Sequence, residues 1–122
     1  VELKHMYESY LFDKHIYYIL TMENKIVGGA GIAPLKNSDK NICELQKMYF
    51  LTVARGKGLG SLMIKKCIDF ASKSKFQYCY IETMHNMIKA QKLYKSYGFE
   101  FIESPLGNTG HSSCPVWMLK KL

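Results

Sequence analysis

The chain has 122 residues and a mass of 14.1 kDa, which suits one domain with a single core and excludes separate cofactor and substrate domains. Its 48% apolar and 22% charged residues exclude a disordered chain. Seventeen Lys and Arg residues oppose ten Asp and Glu residues, giving a net charge of +7. We therefore expect an anionic partner, such as a nucleic acid, an acidic protein, a membrane surface or a phosphorylated cofactor.

The cysteine and hydropathy patterns indicate a cytoplasmic protein. Cys43, Cys67, Cys79 and Cys114 are widely spaced, without the C-x-x-C pair of a zinc ribbon or the density of a disulfide framework. We expect these thiols to be buried or half-buried. The sequence has no apolar run of roughly 18 residues that could span a bilayer, and its first residues form no hydrophobic signal core.

The first half of the chain predicts a helix followed by three antiparallel strands. Apolar residues at three- and four-residue spacing in residues 1–11 predict an amphipathic helix. Residues 15–22 and 25–32 flank a two-residue polar turn and predict a β-hairpin. The polar residues 34–41 then predict a turn, and residues 42–51 predict a long third strand.

The second half predicts a βαβ unit followed by another helix and two strands. The third strand, a glycine loop, a helix and a further strand follow one another, so these two strands should be parallel. The predicted elements are a helix over 59–72, a strand over 76–84, a helix over 87–97 ended by Gly98, a strand over 99–103, a loop over 104–113 and a strand over 116–119. The sequence therefore predicts a mixed α/β (α+β) fold.

The glycine loop predicts a phosphate site. Gly56, Gly58 and Gly60 occupy every second position where a predicted strand leads into a predicted helix. The cations Arg55 and Lys57 lie next to them in the sequence. Unpaired amides and the positive end of the helix dipole bind phosphate at a helix start, and glycines allow positive φ and close approach. The spacing fits neither the Walker loop nor the dinucleotide fingerprint. The alternative is a plain turn.

The loop resembles the R-x-x-G-x-G motif of the GNAT superfamily of N-acetyltransferases. A second motif of that superfamily, N-x(3)-A-x(2)-L-Y-x(3)-G-F, is matched by Asn86, Ala90, Leu93, Tyr94, Gly98 and Phe99. Together the motifs cover residues 42–101, about half the chain. The resemblance implies a mixed central sheet with antiparallel N-terminal strands and a splayed parallel pair flanked by helices. It also implies one domain over residues 1–122 that lacks the first strand and helix of the family.

The resemblance implies that acetyl-CoA is the acetyl donor and lies in the gap between the parallel strands, without a metal. Backbone amides near Met48 would polarise the thioester carbonyl, and the pyrophosphate would lie on the glycine loop. Asn86 would contact pantetheine, although a plain helix N-cap looks the same in sequence. The implied binding residues are Met48, Tyr49, Phe50, Leu51, Val53, Arg55, Gly56, Lys57, Gly58, Leu59, Gly60, Ser61, Asn86 and Tyr94.

The resemblance also implies direct attack of a primary amine on the acetyl carbon. An alkyl ammonium has a pKa of about 10.4, so a base must remove its proton. Glu44 matches the position of the glutamate base in several family members, while a solvated strand carboxylate or a lysine partner is the alternative. Glu82 is a second candidate base. Tyr94 matches the acid that protonates the leaving thiolate, and a core tyrosine is the alternative.

The sequence leaves the amine acceptor open between small molecules and peptides. The loop holding His111 and Cys114 could line the acceptor pocket, and His111 is either a surface residue or a substrate contact. A non-catalytic acetyl-CoA sensor is the alternative function. Nucleic-acid binding is disfavoured because the lysines are dispersed rather than clustered with stacking aromatics. No membrane partner is expected, and edge strands are compatible with a homodimer.

Overall fold

The computed structural model describes residues 2–6, 14–36, 38–39, 41–107 and 116–122, with the backbone alone for residues 2–6 and 47. The described elements in chain order are β1 (Glu2–Met6), β2 (Ile16–Met22), β3 (Lys25–Pro34), β4 (Ile42–Phe50), a short 3-10 helix (Thr52–Ala54), α1 (Leu59–Lys73), β5 (Tyr78–Thr83), α2 (Ile88–Ser96), β6 (Glu100–Ile102) and β7 (Val116–Lys121). None of these helices combines the length and apolar character needed to cross a bilayer.

The strands of the described residues form one mixed sheet in the order β1-β2-β3-β4-β5-β7-β6. Neighbouring strands are antiparallel except for β4 and β5, which are parallel and are connected through α1. This arrangement confirms the predicted mixed sheet with antiparallel N-terminal strands and one parallel pair. It also places the carboxyl ends of β4 and β5, and the glycine loop that follows β4, at the same edge of the sheet.

The predicted helix over residues 1–11 is wrong for Glu2–Met6, which form β1. This segment pairs antiparallel with β2, from Glu2 opposite Thr21 to Met6 opposite Tyr17. The edge of β2 offers a row of backbone donors and acceptors, and pairing with it satisfies the same groups of β1. Long-range pairing therefore overrides the helical spacing of the side chains. Residues 7–11 of the predicted helix lie outside the described residues.

The other predicted strands and helices are confirmed with small shifts at their ends. β3 extends to Pro34, so the polar turn begins later than its composition predicts. Phe76 does not begin β5 but donates its amide to Ala71 O at 3.2 Å, in the turn that ends α1. Of the predicted loop over residues 104–113, only residues 104–107 are described.

The core lies between one face of the sheet and the two helices. Alternate residues of β4 and β5, including Cys43 and Cys79, point to this face, where they meet Ile64 and Cys67 of α1. The three described cysteines are buried and free, as expected, and Cys114 lies outside the described residues. Most of the apolar residues of α1 face this core, but the side chain of Leu62 is 44% exposed.

The two aliphatic residues Ile64 and Leu62 give a matched test of this core. We expect Ile64→Ala to lower the free energy of unfolding by about 2–5 kcal/mol, because Ile64 is fully buried and truncation leaves a cavity. Leu62→Ala should change it by about 1 kcal/mol or less. Urea unfolding followed by circular dichroism measures both, and equal losses would contradict the assigned faces of α1.

Candidate active site

The parallel strands β4 and β5 separate soon after they meet. Their register runs only from Ile42 opposite Tyr78 to Glu44 opposite Tyr80. Both strands continue beyond this point, and β5 stays paired to β7 on its other side. A gap therefore opens between β4 and β5 towards their carboxyl ends, which confirms the predicted splay. An extended ligand in this gap can use backbone groups that the sheet itself does not pair.

A β-bulge in β4 redirects the side chains that border the gap. Gly31 of β3 lies opposite Gln46, but Gly29 lies opposite Tyr49, so β4 has one extra residue between these pairs. A bulge of this kind changes the face to which the following side chains point. Met48 accordingly packs against the core on the helix side of the sheet.

Tyr94 of α2 directs its hydroxyl to the border of this gap. Its O–H donates to Met48 Sδ at 3.8 Å. Burial, followed by the nearby Cys67 and Cys79 thiols, raises the pKa of Tyr94 from 10.0 to about 12. At neutral pH the phenol is therefore protonated and able to donate.

The end of α2 fixes the position of Tyr94. Gly98 adopts a φ of +94°, and its amide donates to Lys95 O at 3.0 Å. The amide of Phe99 donates to Tyr94 O at 3.1 Å, which completes a Schellman motif. The Phe99 and Tyr94 rings lie 5.9 Å apart between centroids. The Gly-Phe pair therefore ends the helix as predicted and holds the tyrosine ring.

The glycine loop has the backbone that its sequence predicts. Gly56 and Gly58 have φ values of +74° and +73°, and nothing lies within 4 Å of a Cβ at either position. The requirement for glycine there is thus conformational. Arg55 Nε donates to Phe50 O at 3.0 Å, which leaves the two terminal NH₂ groups of the guanidinium for an anion. Lys57, two residues further along the loop, is exposed.

Exposed apolar residues lie at both borders of the gap. Tyr49, Leu51 and Val53 follow the bulge of β4, and their side chains are 44% to 57% exposed. Three further exposed apolar residues, Met84, Met87 and Ile88, lie between the end of β5 and the first turn of α2. The predicted site does not include this second group, although an apolar cluster between a strand and a helix is visible in the sequence. Such a rim indicates a binding surface.

Asn86 is exposed in the turn before α2, and the alternative of a plain helix N-cap is wrong. The N-cap residue is Met87, and the first turn has no side-chain capping bond. Instead, Met84 O accepts the Met87 amide at 3.0 Å and Gln91 Nε2 at 2.7 Å. These bonds fix the turn without Asn86, whose contact with pantetheine stays a prediction.

The face opposite the helices carries the carboxylates. Glu44 is 4% exposed, so the alternative of a solvated strand carboxylate is wrong. Gln46 Nε2 donates to Glu44 Oε1 at 2.9 Å. Tyr80 O–H donates to Glu82 Oε2 at 2.6 Å and accepts from the Leu106 amide at 3.2 Å. Burial, followed by the Glu82 bond, raises the pKa of Tyr80 well above its usual range.

The two candidate catalytic groups thus reach the gap region from opposite faces of the sheet. Glu44 is the last residue of β4 that pairs with β5, and the Tyr94 hydroxyl approaches Met48 from the helix side. Within the described ranges no group of three His, Cys, Asp or Glu side chains could hold a metal ion. His111 and Cys114 lie outside the described residues, so their predicted place in an acceptor pocket stays a prediction.

The amino-acid sequence matches the family model described as the acetyltransferase (GNAT) family over residues 2–99. The chain is also 44% identical over 120 residues to the N-acetyltransferase YjgM of Escherichia coli (strain K12), with 98% of this chain and 72% of that protein covered. The matched region contains both motifs and the parallel strand pair.

Solved structures share the fold. An acetyltransferase of the GNAT family from Staphylococcus aureus Mu50 superposes with a TM-score of 0.81 and 22% identity, covering 95% of this chain and 73% of that chain. A GNAT family acetyltransferase from Elizabethkingia anophelis with acetyl-CoA bound gives a TM-score of 0.68 and 19% identity, covering 94% of this chain and 80% of that chain.

The raised pKa of Tyr94 predicts a loss of stability at high pH. The Tyr94 phenol keeps its proton to about pH 12 in the folded protein and loses it near pH 10 in the unfolded chain. Its contribution to the free energy of unfolding is therefore complete below pH 10 and is lost as the pH rises towards 12. Between pH 9 and pH 11, Tyr94→Phe should lose about 1 kcal/mol less free energy of unfolding than the unmodified protein. Urea unfolding at both pH values measures this, with the exposed Tyr49→Phe as control. Equal losses in all three proteins would contradict the assignment.

Proposed function

Because the chain belongs to the acetyltransferase (GNAT) family of N-acetyltransferases, we propose that it transfers the acetyl group of acetyl-CoA to a primary amine of a small molecule or peptide. The amine attacks directly, with donor and acceptor bound together. The observation that carries the proposal is the gap between β4 and β5, with a protonated tyrosine hydroxyl at its border and a glycine loop at its open end.

The gap suits the shape and charge of acetyl-CoA. Its pantetheine arm is extended and has amides that can pair with the backbone of β4 beyond Glu44, and the apolar rim suits its methyl groups. Its phosphates suit the first turn of α1, with Arg55 and Lys57 beside it. The Elizabethkingia anophelis structure, which has the same fold, has acetyl-CoA bound.

The proposed contacts comprise the implied residues of β4, the loop and α2. In the proposed complex, the backbone of β4 and of the segment after it would border the arm, the glycine loop and the start of α1 would surround the pyrophosphate, and α2 and the turn before it would contact the arm from the helix side. The residues in these three groups are Met48, Tyr49, Phe50, Leu51 and Val53; Arg55, Gly56, Lys57, Gly58, Leu59, Gly60 and Ser61; and Asn86 and Tyr94. Because the pairing of β4 with β5 ends at Glu44, a backbone amide near Met48 can donate to the thioester carbonyl and stabilise the negative charge that develops on its oxygen.

Glu44 is the proposed general base. The amine must lose a proton to attack, and Glu44 accepts it directly or through a water molecule. The hydrogen bond donated by the side-chain amide of Gln46 orients the Glu44 carboxylate. Glu82 is the weaker candidate, because Glu44 is the one that matches the position of the family's glutamate base. The Glu82 Oε2 atom accepts a short hydrogen bond from Tyr80, whose hydroxyl oxygen accepts from the Leu106 amide in the β6–β7 connection.

Tyr94 is the proposed general acid. Breakage of the thioester bond leaves a CoA thiolate, and the Tyr94 O–H can donate a proton to it. Its hydroxyl already points at a sulfur atom, that of Met48, and its pKa of about 12 keeps the proton available at neutral pH. A sensor that only binds acetyl-CoA needs neither group, so a buried glutamate and a tyrosine hydroxyl at the border of one gap favour turnover.

A thiol-release assay tests the reaction and both residues. Purified protein with acetyl-CoA should release CoA only when an accepted amine from a panel of amino acids, diamines and short peptides is present. Glu44→Gln should lower kcat/KM about 100-fold or more at pH 7, with partial recovery at higher pH as the free amine becomes abundant. Tyr94→Phe should lower kcat about 10-fold or more without this recovery.

The exposed Glu100→Gln on β6 is the matched control and should retain full activity. Unchanged rates in both Glu44→Gln and Tyr94→Phe would contradict the residue assignments. Tight binding of acetyl-CoA without CoA release for any amine of the panel would favour the sensor.

A further inference from the structure

Two hydroxyl groups join α1 to α2 beside the glycine loop. Ser61 Oγ lies 2.6 Å from the hydroxyl oxygen of Tyr97, across a sequence separation of 36 residues. The Tyr97 hydroxyl also lies 3.3 Å from the carbonyl oxygen of Ser61. Ser61 belongs to the first turn of α1, and Tyr97 directly follows the last residue of α2. The contact therefore ties the start of one helix to the end of the other.

The backbone around this pair holds both groups in place. At Gly60, a Cβ would lie 3.2 Å from Leu93 Cδ2, so α1 and α2 touch at this point with little room for movement. The Tyr97 amide donates to Tyr94 O at 3.1 Å beside the bonds of the Schellman motif, which fixes the backbone at Tyr97. Ser61 and Tyr97 are both half-buried.

The direction of the two hydroxyl protons depends on what lies above α1. Each hydroxyl has one proton, so Ser61 can donate to Tyr97 while Tyr97 donates to Ser61 O, or Tyr97 can donate to Ser61 Oγ. Only the second arrangement leaves the Ser61 O–H free to donate elsewhere. Phosphate oxygens at neutral pH are mainly acceptors, so an anion on the first turn of α1 selects this second arrangement.

We propose that Tyr97 is a positioning residue for phosphate recognition: its O–H donates to Ser61 Oγ, so that the Ser61 O–H donates to the pyrophosphate of acetyl-CoA. The inference rests on the proposed function, which supplies the anion. It adds a residue that the motif does not assign, because Tyr97 falls at a variable position between Tyr94 and Gly98. The chain of hydrogen bonds strengthens each bond in it, and the anion selects the arrangement in which the Ser61 O–H points towards the pyrophosphate.

Acetyl donors with and without phosphates distinguish a role of Tyr97 in phosphate recognition from a role in packing alone. We would measure kcat and KM with acetyl-CoA and with S-acetylpantetheine, which lacks phosphates, for the unmodified protein, Tyr97→Phe, Ser61→Ala and the double variant. Tyr97→Phe should raise the KM for acetyl-CoA about 3- to 10-fold with kcat unchanged, since one charge-assisted hydrogen bond is weakened. Its kcat/KM for S-acetylpantetheine should stay the same.

The double variant tests whether Tyr97 acts through Ser61. It should lose no more affinity for acetyl-CoA than Ser61→Ala alone, because the tyrosine then has no serine hydroxyl to orient. Ser96→Ala is the matched control, since it removes a hydroxyl that bonds to Leu93 O at 2.6 Å within α2 and should change neither donor's kinetics. If Tyr97→Phe does not fold, Ser61→Ala should still show the loss that is selective for acetyl-CoA.

Equal losses for both donors in Tyr97→Phe, or no loss for acetyl-CoA, would overturn the inference and leave the proposed function intact. Additive losses in the double variant would also overturn it. Failure of the unmodified protein to use acetyl-CoA, or equal kcat/KM values for the two donors, would instead overturn the proposed phosphate site and the inference with it.

Discussion

The site depends on the end of backbone pairing between β4 and β5. Parallel strands in a protein interior normally pair along their whole length, because buried N–H and C=O groups without partners are costly. Here the pairing stops at Glu44 and Tyr80, while both strands continue. The backbone of β4 beyond that point can therefore pair with an extended ligand, and every group assigned a catalytic or binding role lies around this interruption.

The gap is part of the fold, because β4 and β5 each stay paired to the neighbouring strand on the side away from the gap. β5 is paired to β7 from Tyr78 to Thr83, and β4 is paired to β3 up to Phe50. The bulge in β4 turns Met48 towards the helices, where it meets the Tyr94 hydroxyl. Strand pairing on the outer side of each strand and side-chain packing on the helix side thus hold the two strands apart.

The two faces of the sheet give the candidate acid and base different surroundings. On the helix side, Tyr94 lies among apolar side chains and buried thiols, which keep its proton bound far above neutral pH. On the other face, Glu44 and Glu82 accept hydrogen bonds from Gln46 and Tyr80. A proton donor and a proton acceptor can therefore act on one bound ligand from opposite sides without exchanging a proton with each other.

The sequence by itself determined the features that depend on neighbouring residues: the hairpin, the glycine loop with positive φ at Gly56 and Gly58, and the helix stop at Gly98. Only the tertiary structure decided that Glu2–Met6 form a strand, that Glu44 is buried and that Tyr97 meets Ser61. The physical reason is the distance along the chain between the residues that determine each feature. Turn and cap conformations follow from the φ preferences and hydrogen bonds of a few adjacent residues, whereas strand pairing, burial and helix contacts depend on groups that lie far apart in the chain.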